Sequence, residues 1–137
     1  MNLGLATEVF NPAEDHRWLG SKHGTDTAKT ITLDASAFSA LGFADGVVPS
    51  GVVLAKITTS GLYGPYDKAG TGGLGTAVGF LFTTKNTEDF TVDTPAALLW
   101  HGSVIVANLP TDHGLNVTAA GQLPGFNFVG DTPADPV

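Results

Sequence analysis

The chain has 137 residues, a net charge of −7 and no cysteine, which is the length of one domain. The lack of cysteine excludes disulfides, thiolate metal sites and cysteine nucleophiles. The six basic residues are scattered singly, which argues against binding to nucleic acid phosphates or to an anionic membrane surface. Residues 1–10 lack the basic and apolar regions of a signal peptide, so we expect the protein to be made in the cytoplasm and to stay there until assembly.

Glycine and charge content favour short strands over long helices. Glycine accounts for 18 residues, and only 14% of residues are charged, against about 7% glycine and about 25% charged residues in ordinary soluble domains. Many glycines indicate many turns and close backbone approaches. No apolar run reaches the roughly 18 residues that a membrane helix needs.

Residues 1–29 are predicted to form an extended N-terminal arm. The segment is polar and irregular, with Phe10, Trp18 and Leu19 set among turn-forming residues. Isolated aromatic and large apolar side chains in such a segment often anchor a partner surface. They can equally dock back onto their own domain, and the sequence leaves both alternatives open.

The first half of the remaining chain predicts two strands and a short helix. Thr30–Leu33 alternates polar and apolar residues, as half-buried strands do. Asp34 precedes Ala35–Leu41 as an N-cap, which predicts one or two helical turns. Val52–Thr58 is β-branched and predicts a buried strand, whereas Leu62–Tyr66 contains a proline that limits it to an edge or a bend.

The second half predicts further short strands. Ala77–Thr83 and Ser103–Ala107 are predicted strands, and Lys85–Asp89 is predicted to be an exposed polar connection. Periodicity does not separate a helical turn from a strand at Thr94–Trp100. Gly125–Val129 alternates again, and we expect it to close the sheet.

Short strands joined by turns predict a mainly β fold with a small barrel-like or sandwich core and one or two short helices. We expect this β-rich domain to span residues 30–130. The acidic, proline-containing residues 131–137 are predicted to form a solvated tail.

One glycine-rich loop matches a nucleotide-binding pattern. Gly70–Gly75 reads G-x-G-x-x-G, which in dinucleotide-binding proteins follows a strand and opens a helix. Here a strand-like segment follows, so we interpret it as a flexible loop.

No metal site is predicted. The histidines lack ligand spacing, although Asp112 and His113 can meet His101 in space. The histidines lie at His16, His23, His101 and His113.

Catalytic residues are not predicted either. Ser50 and Ser103 lack the elbow that presents a serine nucleophile, and the acidic pairs lie in polar, loop-like stretches without the apolar pocket that general acid–base catalysis needs. A glycosylation sequon at Asn116 has no secretion signal to support it. We therefore expect no catalytic residue, no metal ligand and no cofactor, and a protein that is not an enzyme.

An ordered series of short motifs indicates a family. A P-S-G turn at residues 49–51 precedes a V-L-A strand, an aromatic Y-x-x-Y stretch at residues 63–66 follows, and a glycine-rich loop leads to G-F-L at residues 79–81. An H-G-x-V strand at residues 101–104 then ends in Leu-Pro at residues 109–110. This series, over residues 30–110, resembles the lambda-type head decoration proteins of tailed phages, particularly those infecting actinobacteria.

The resemblance implies a homotrimer on the outer surface of an expanded phage capsid, at three-fold or quasi-three-fold sites, where it stabilises the shell by binding the major capsid protein. It also implies an N-terminal arm that orders against the capsid. The residues that we predict to contact the capsid or a sister subunit are Phe10, Trp18, Leu19, Pro49, Tyr63, Tyr66 and Trp100. The alternatives are another virion protein, of the tail or the head–tail connector, and a small β-barrel ligand-binding module.

Overall fold

A computed structural model describes residues 16–21, 24–41, 46–110, 113–130 and 132–133. The fold is mainly β, as predicted: the described residues form a closed five-strand barrel and contain few helical residues. Within the described residues, no helix is long and apolar enough to cross a membrane. The strands are β1 (Lys29–Leu33), β2 (Val47–Val48), β3 (Val53–Lys56), β4 (Tyr63–Pro65), β5 (Ala77–Leu81), β6 (Lys85–Asn86), β7 (Thr94–Leu99), β8 (Gly102–Ile105) and β9 (Phe126–Val129).

Four short helices lie among the described residues. Helix α1 spans Val117–Gly121, and 3-10 helices span Thr25–Thr27, Ala35–Leu41 and Val106–Asn108. The helical turns predicted at Ala35–Leu41 are therefore confirmed. Helix α1 was not predicted because its apolar residues cover little more than one turn, which is too short for helical periodicity to be visible.

Five strands form a closed barrel in the order β1-β4-β3-β5-β7, with β7 pairing back onto β1. The neighbours are antiparallel except for β1 and β4, which run parallel where Leu33 pairs with Tyr63. The closing pair has the longest register, from Lys29 opposite Leu98 to Leu33 opposite Thr94. Closure gives every strand of this sheet a neighbour on both sides.

Side chains fill the barrel interior. On β3, Leu54 faces inward, while its neighbours Val53 and Ala55 pack outward into a second core. Because adjacent residues of a strand face opposite sides, a strand buried on both faces reads as a continuous apolar run. The buried residues of the interior cluster are Ile31, Leu33, Phe38, Val48, Val52, Leu54, Leu81, Ala96 and Leu98.

A β-bulge allows β5 to serve both cores. Leu54 lies opposite Gly79, but Ala55 lies opposite Ala77, so Val78 is an extra residue on β5. The bulge shifts the alternation by one residue. As a result Phe80 packs in the outer core together with Ala77.

The outer core lies between the barrel and a smaller layer made of β8, β9 and α1. Strands β8 and β9 pair in parallel, from Gly102 opposite Phe126 to Ile105 opposite Val129. The expectation that residues 125–129 close the main sheet is therefore wrong, because the barrel already closes through β1 and β7. The outer core consists of Trp18, Val53, Ala55, Tyr66, Ala77, Phe80, Leu99, Val104, Val106, Leu115, Ala119, Leu123 and Phe126.

Two ambiguous or polar segments are strands. The Thr94–Leu99 segment is β7, and Pro95 fits because β5 pairs only with Leu98 and Leu99 of this strand. Proline lacks a backbone N–H and is tolerated where one side of a strand is unpaired. Lys85 and Asn86 form β6 against β2, so the predicted exposed connection is partly a strand.

The described part of the predicted N-terminal arm packs on the domain. Trp18 is fully buried, Leu19 forms an antiparallel bridge with Val104, and the Ile105 amide donates a hydrogen bond to the Trp18 carbonyl at 2.6 Å. Docking onto its own domain, one of the two alternatives left open by the sequence, is therefore what residues 16–21 do. Residues 1–15 lie outside the described residues.

Candidate functional site

The turn at residues 49–51 forms a socket for the Trp18 indole. Ser50 is buried, and its Oγ accepts a hydrogen bond from Trp18 Nε1 at 3.0 Å and donates one to the Phe82 carbonyl at 2.7 Å. Gly51 has a φ of 103°, and a Cβ there would lie 3.1 Å from Trp18 Nε1. Only glycine satisfies both the backbone conformation and the close approach.

Other motifs of the family resemblance meet at the same place. The Gly51 amide donates to the Leu81 carbonyl at 2.8 Å, which joins the P-S-G and G-F-L motifs. Pro110 and Leu109 pack against Gly51, because a Cβ there would lie 2.7 Å and 3.3 Å from their side chains. Motifs that are far apart along the chain therefore support one another around Trp18.

An exposed aromatic surface lies where β7 ends. Trp100 is 40% exposed, and its Nε1 donates a hydrogen bond to the Thr27 carbonyl at 2.8 Å. The Lys29 ammonium lies 4.9 Å from the centre of the indole ring, and the His101 ring meets the indole edge-on at 4.1 Å. We call Thr27, Lys29, Trp100 and His101 the Trp100 platform. Its indole N–H is satisfied within the chain, so the ring is held in place.

A second exposed surface precedes β7 and carries acidic side chains. Glu88, Asp89 and Phe90 have φ values of 51°, 61° and 65°. A left-handed conformation costs an L-residue about 1–2 kcal/mol, so the surrounding contacts must hold it. We call residues 87–92 the acidic turn.

Hydrogen bonds and one apolar anchor hold the acidic turn. Thr87 is fully buried; its Oγ1 donates to the Gly46 carbonyl and accepts from the Phe90 amide at 3.0 Å. The Phe90 ring packs against the interior barrel cluster. Glu88 and Asp89 are exposed, and Val92 beside them is 44% exposed.

The structure places the predicted contact residues differently from one another. Trp18 has no exposed surface and Tyr66 is 6% exposed, so both are core residues of their own domain and offer little to a partner. For Trp18, docking onto its own domain was one of the two alternatives that the sequence left open. The burial of Tyr66 was missed, because an aromatic residue looks the same in the sequence whether it contacts a partner or its own core.

The remaining predicted contacts have accessible surface. Leu19, Pro49 and Tyr63 are half-buried, and Trp100 is exposed. Phe10 lies outside the described residues.

The glycine-rich loop does not have the surroundings of a nucleotide site. Gly70–Gly75 lies between β4 and β5, so the element that follows it is a strand. A dinucleotide site needs a helix at that place. The Asp67 amide donates to the Leu74 carbonyl at 2.9 Å, which folds the loop back on itself. An open depression of about 260 Å³ nearby is lined by Lys56, Thr58, Gly73, Thr76 and Val78.

The described histidines make separate structural contacts. His16 stacks on Phe82 with ring centres 4.8 Å apart, His101 Nε2 bonds Thr27 Oγ1 at 3.0 Å, and His113 Nδ1 accepts from the Leu115 amide at 2.8 Å. Among the residues that the structure describes, no group of three or more metal-ligand side chains comes together. His23 and Asp112 lie outside that part of the chain.

The sequon asparagine has a structural role as a helix cap. Asn116 is 7% exposed, and its Oδ1 accepts a hydrogen bond from the Ala119 amide at 2.8 Å. A side chain that caps a helix from a buried position is poorly placed to carry a glycan.

No family model matches this chain, and no curated protein matches it.

Proposed function

We propose that this chain is a structural decoration protein that binds as trimers to the outer surface of an expanded phage head, at three-fold or quasi-three-fold sites, and stabilises the shell through the major capsid protein. The observation that supports the proposal is the convergence of the resembling motifs on the Trp18 socket. Ser50 and Gly51 contact Trp18 directly. Gly51 also bonds Leu81, and Val104 bridges Leu19.

The action that we propose is mechanical. A trimer that contacts several capsid subunits at once combines weak contacts through their effective concentration. Because the complete site exists only on the assembled shell, binding shifts the equilibrium toward the assembled state by mass action. A barrel whose interior is filled with side chains is a rigid body, and a rigid body loses little conformational entropy when it binds.

The N-terminal residues upstream of His16 are the proposed capsid-binding arm. Trp18 is fully buried and Leu19 bridges Val104, so a deletion that reaches these residues would remove part of the core. The deletion that tests the arm must therefore end at residue 15.

The test of the proposal is reconstitution on undecorated, expanded shells. The full chain should cosediment with the shells in hundreds of copies and raise the temperature at which they release DNA. The variant lacking residues 1–15 should keep its fold and its trimeric mass and lose shell binding.

Failure of the full chain to bind any expanded shell would contradict the decoration proposal. A few copies at one vertex would indicate a connector or tail role. A large, saturable rise in melting temperature with one nucleotide or metal ion would indicate a ligand-binding module. Shell binding by the variant without residues 1–15 would contradict the role of the arm and leave decoration standing.

A further inference from the structure

The Trp100 platform and the acidic turn lie at opposite ends of β7. Trp100 follows the last residue of β7, and the acidic turn ends just before the first residue, Thr94. Six strand residues span about 20 Å at roughly 3.3 Å per residue. The two surfaces of one chain are therefore too far apart to contact each other, but each is available to a neighbouring molecule.

The platform presents a positive charge on an acidic protein. The chain carries a net charge of −7, and Lys29, the charged side chain described on the platform, lies over the face of Trp100. A partly exposed tryptophan whose N–H is already bonded loses little side-chain entropy on binding, and tryptophan is enriched among residues that dominate interface energies. The platform suits an acidic partner with some apolar surface.

The acidic turn has the complementary chemistry. Two carboxylates, Glu88 and Asp89, are exposed side by side, and Val92 adds an exposed apolar side chain. The turn is anchored by the buried Thr87 and by the Phe90 ring. Lys85, on β6, lies two residues before the turn, and its single positive charge is smaller than the combined charge of the two carboxylates.

We infer that the Trp100 platform of one copy binds the acidic turn of a second copy, with Lys29 facing Glu88 and Asp89 while Trp100 packs against Val92. A contact between two different surfaces of the same chain is head-to-tail, and head-to-tail contacts form rings when the rotation closes. The inference rests on the proposed function for the number of subunits, three. Each subunit then uses its Trp100 platform to bind one neighbour and its acidic turn to bind the other.

Solution mass of the full chain and of three single-surface variants tests this contact. Trp100→Ala and the isosteric pair Glu88→Gln with Asp89→Asn should each weaken trimer formation, the former by about 30-fold per contact, the factor that corresponds to an interface hot spot. Asparagine tolerates the left-handed conformation, so the charge-neutral variant keeps the turn. Val117→Ala, at a valine that is 54% exposed on α1, is the matched control and should remain trimeric.

A charge exchange separates this contact from a general effect on folding. On an Asp89→Asn background, which leaves Glu88 as the carboxylate that faces Lys29, Lys29→Glu alone and Glu88→Lys alone should each dissociate the trimer, because each places like charges together. The variant carrying both changes should recover the trimer, since every contact then regains an opposite pair. Far-ultraviolet circular dichroism should be unchanged in all of them.

The outcomes distinguish this inference from the proposed function. A trimeric wild type whose platform and turn variants also stay trimeric would overturn the contact and leave decoration intact. Failure of the double charge exchange to recover the trimer would likewise overturn it. A wild type that is monomeric at every concentration would overturn both this contact and the trimeric state proposed for the decoration protein.

Discussion

Replacing Trp18 with alanine removes the largest side chain that the described part of the domain buries completely. Trp→Ala changes in a protein core cost about 3–5 kcal/mol, because both the transfer free energy and the cavity count. The cost here includes the hydrogen bond to Ser50 and the stacked contact with Phe80, whose ring centre is 5.4 Å away. Small domains have a free energy of unfolding of about 5–15 kcal/mol, so the variant should lose a large share of it.

The conservative variant Trp18→Phe separates packing from hydrogen bonding. It keeps an aromatic ring in the outer core and removes the N–H that donates to Ser50 Oγ. We expect a cost of about 1–3 kcal/mol, which combines the smaller ring with a buried oxygen that has lost its donor. This value should lie clearly between wild type and Trp18→Ala.

Urea denaturation followed by circular dichroism measures both variants. With slopes of about 1–3 kcal/mol per molar urea, a loss of 3–5 kcal/mol lowers the midpoint by about 1 M or more. Val117→Ala is the control, because that valine is 54% exposed and its truncation should cost much less. A midpoint for Trp18→Ala within experimental error of wild type would refute the assignment of residues 16–21 to the core.

Three further substitutions test separate parts of the structure by the same denaturation assay. Asn116→Ala should cost about 1 kcal/mol because α1 loses its N-cap, whereas Asn116→Asp should cost less because aspartate can also cap. Equal costs would contradict the capping role of Asn116. Glu88→Gly should raise the free energy of unfolding by about 0.5 kcal/mol or more, because glycine adopts a positive φ without strain. Thr91→Gly, outside the positive-φ residues, should lower it, and a lower stability of Glu88→Gly would contradict the strain. Leu54→Ala should cost about 2–5 kcal/mol, because it leaves a cavity in the barrel interior. A cost below about 1 kcal/mol would mean that Leu54 does not fill the interior.

The pattern of residue types along the chain predicts most of the barrel strands, but it does not predict the order in which they pair. The β-branched run at Val52–Thr58 and the apolar run at Ala77–Thr83 predicted strands that the fold contains as Val53–Lys56 and Ala77–Leu81. The order of those strands is set by pairings between distant residues, which periodicity does not report. The parallel neighbours β1 and β4 were beyond the reach of the sequence for this reason.

The surfaces proposed to function were predicted only in part. Trp100 was singled out as an aromatic contact, but its neighbours Thr27 and Lys29 come from a distant segment that the barrel brings alongside. The sequence of the acidic turn predicted an exposed polar loop. It did not predict the left-handed backbone of Glu88 and Asp89, because these residue types are common in loops of any conformation. Exposed, charged residues become informative only once the backbone that holds them is known.

The pairing of β1 with β7, which closes the barrel and which we call the closing seam, affects how the polypeptide folds. Lys29 can pair with Leu98 only after most of the chain has left the ribosome, so β1 lacks its β7 neighbour until late in synthesis. Contacts between such distant residues slow folding, because loop-closure entropy is lost before the pairing is gained. During that interval β1 has an open edge, which a second nascent chain can occupy. Rapid synthesis at high concentration therefore favours swapped pairing at this seam, and slower expression at lower temperature should increase the yield of correctly closed barrels.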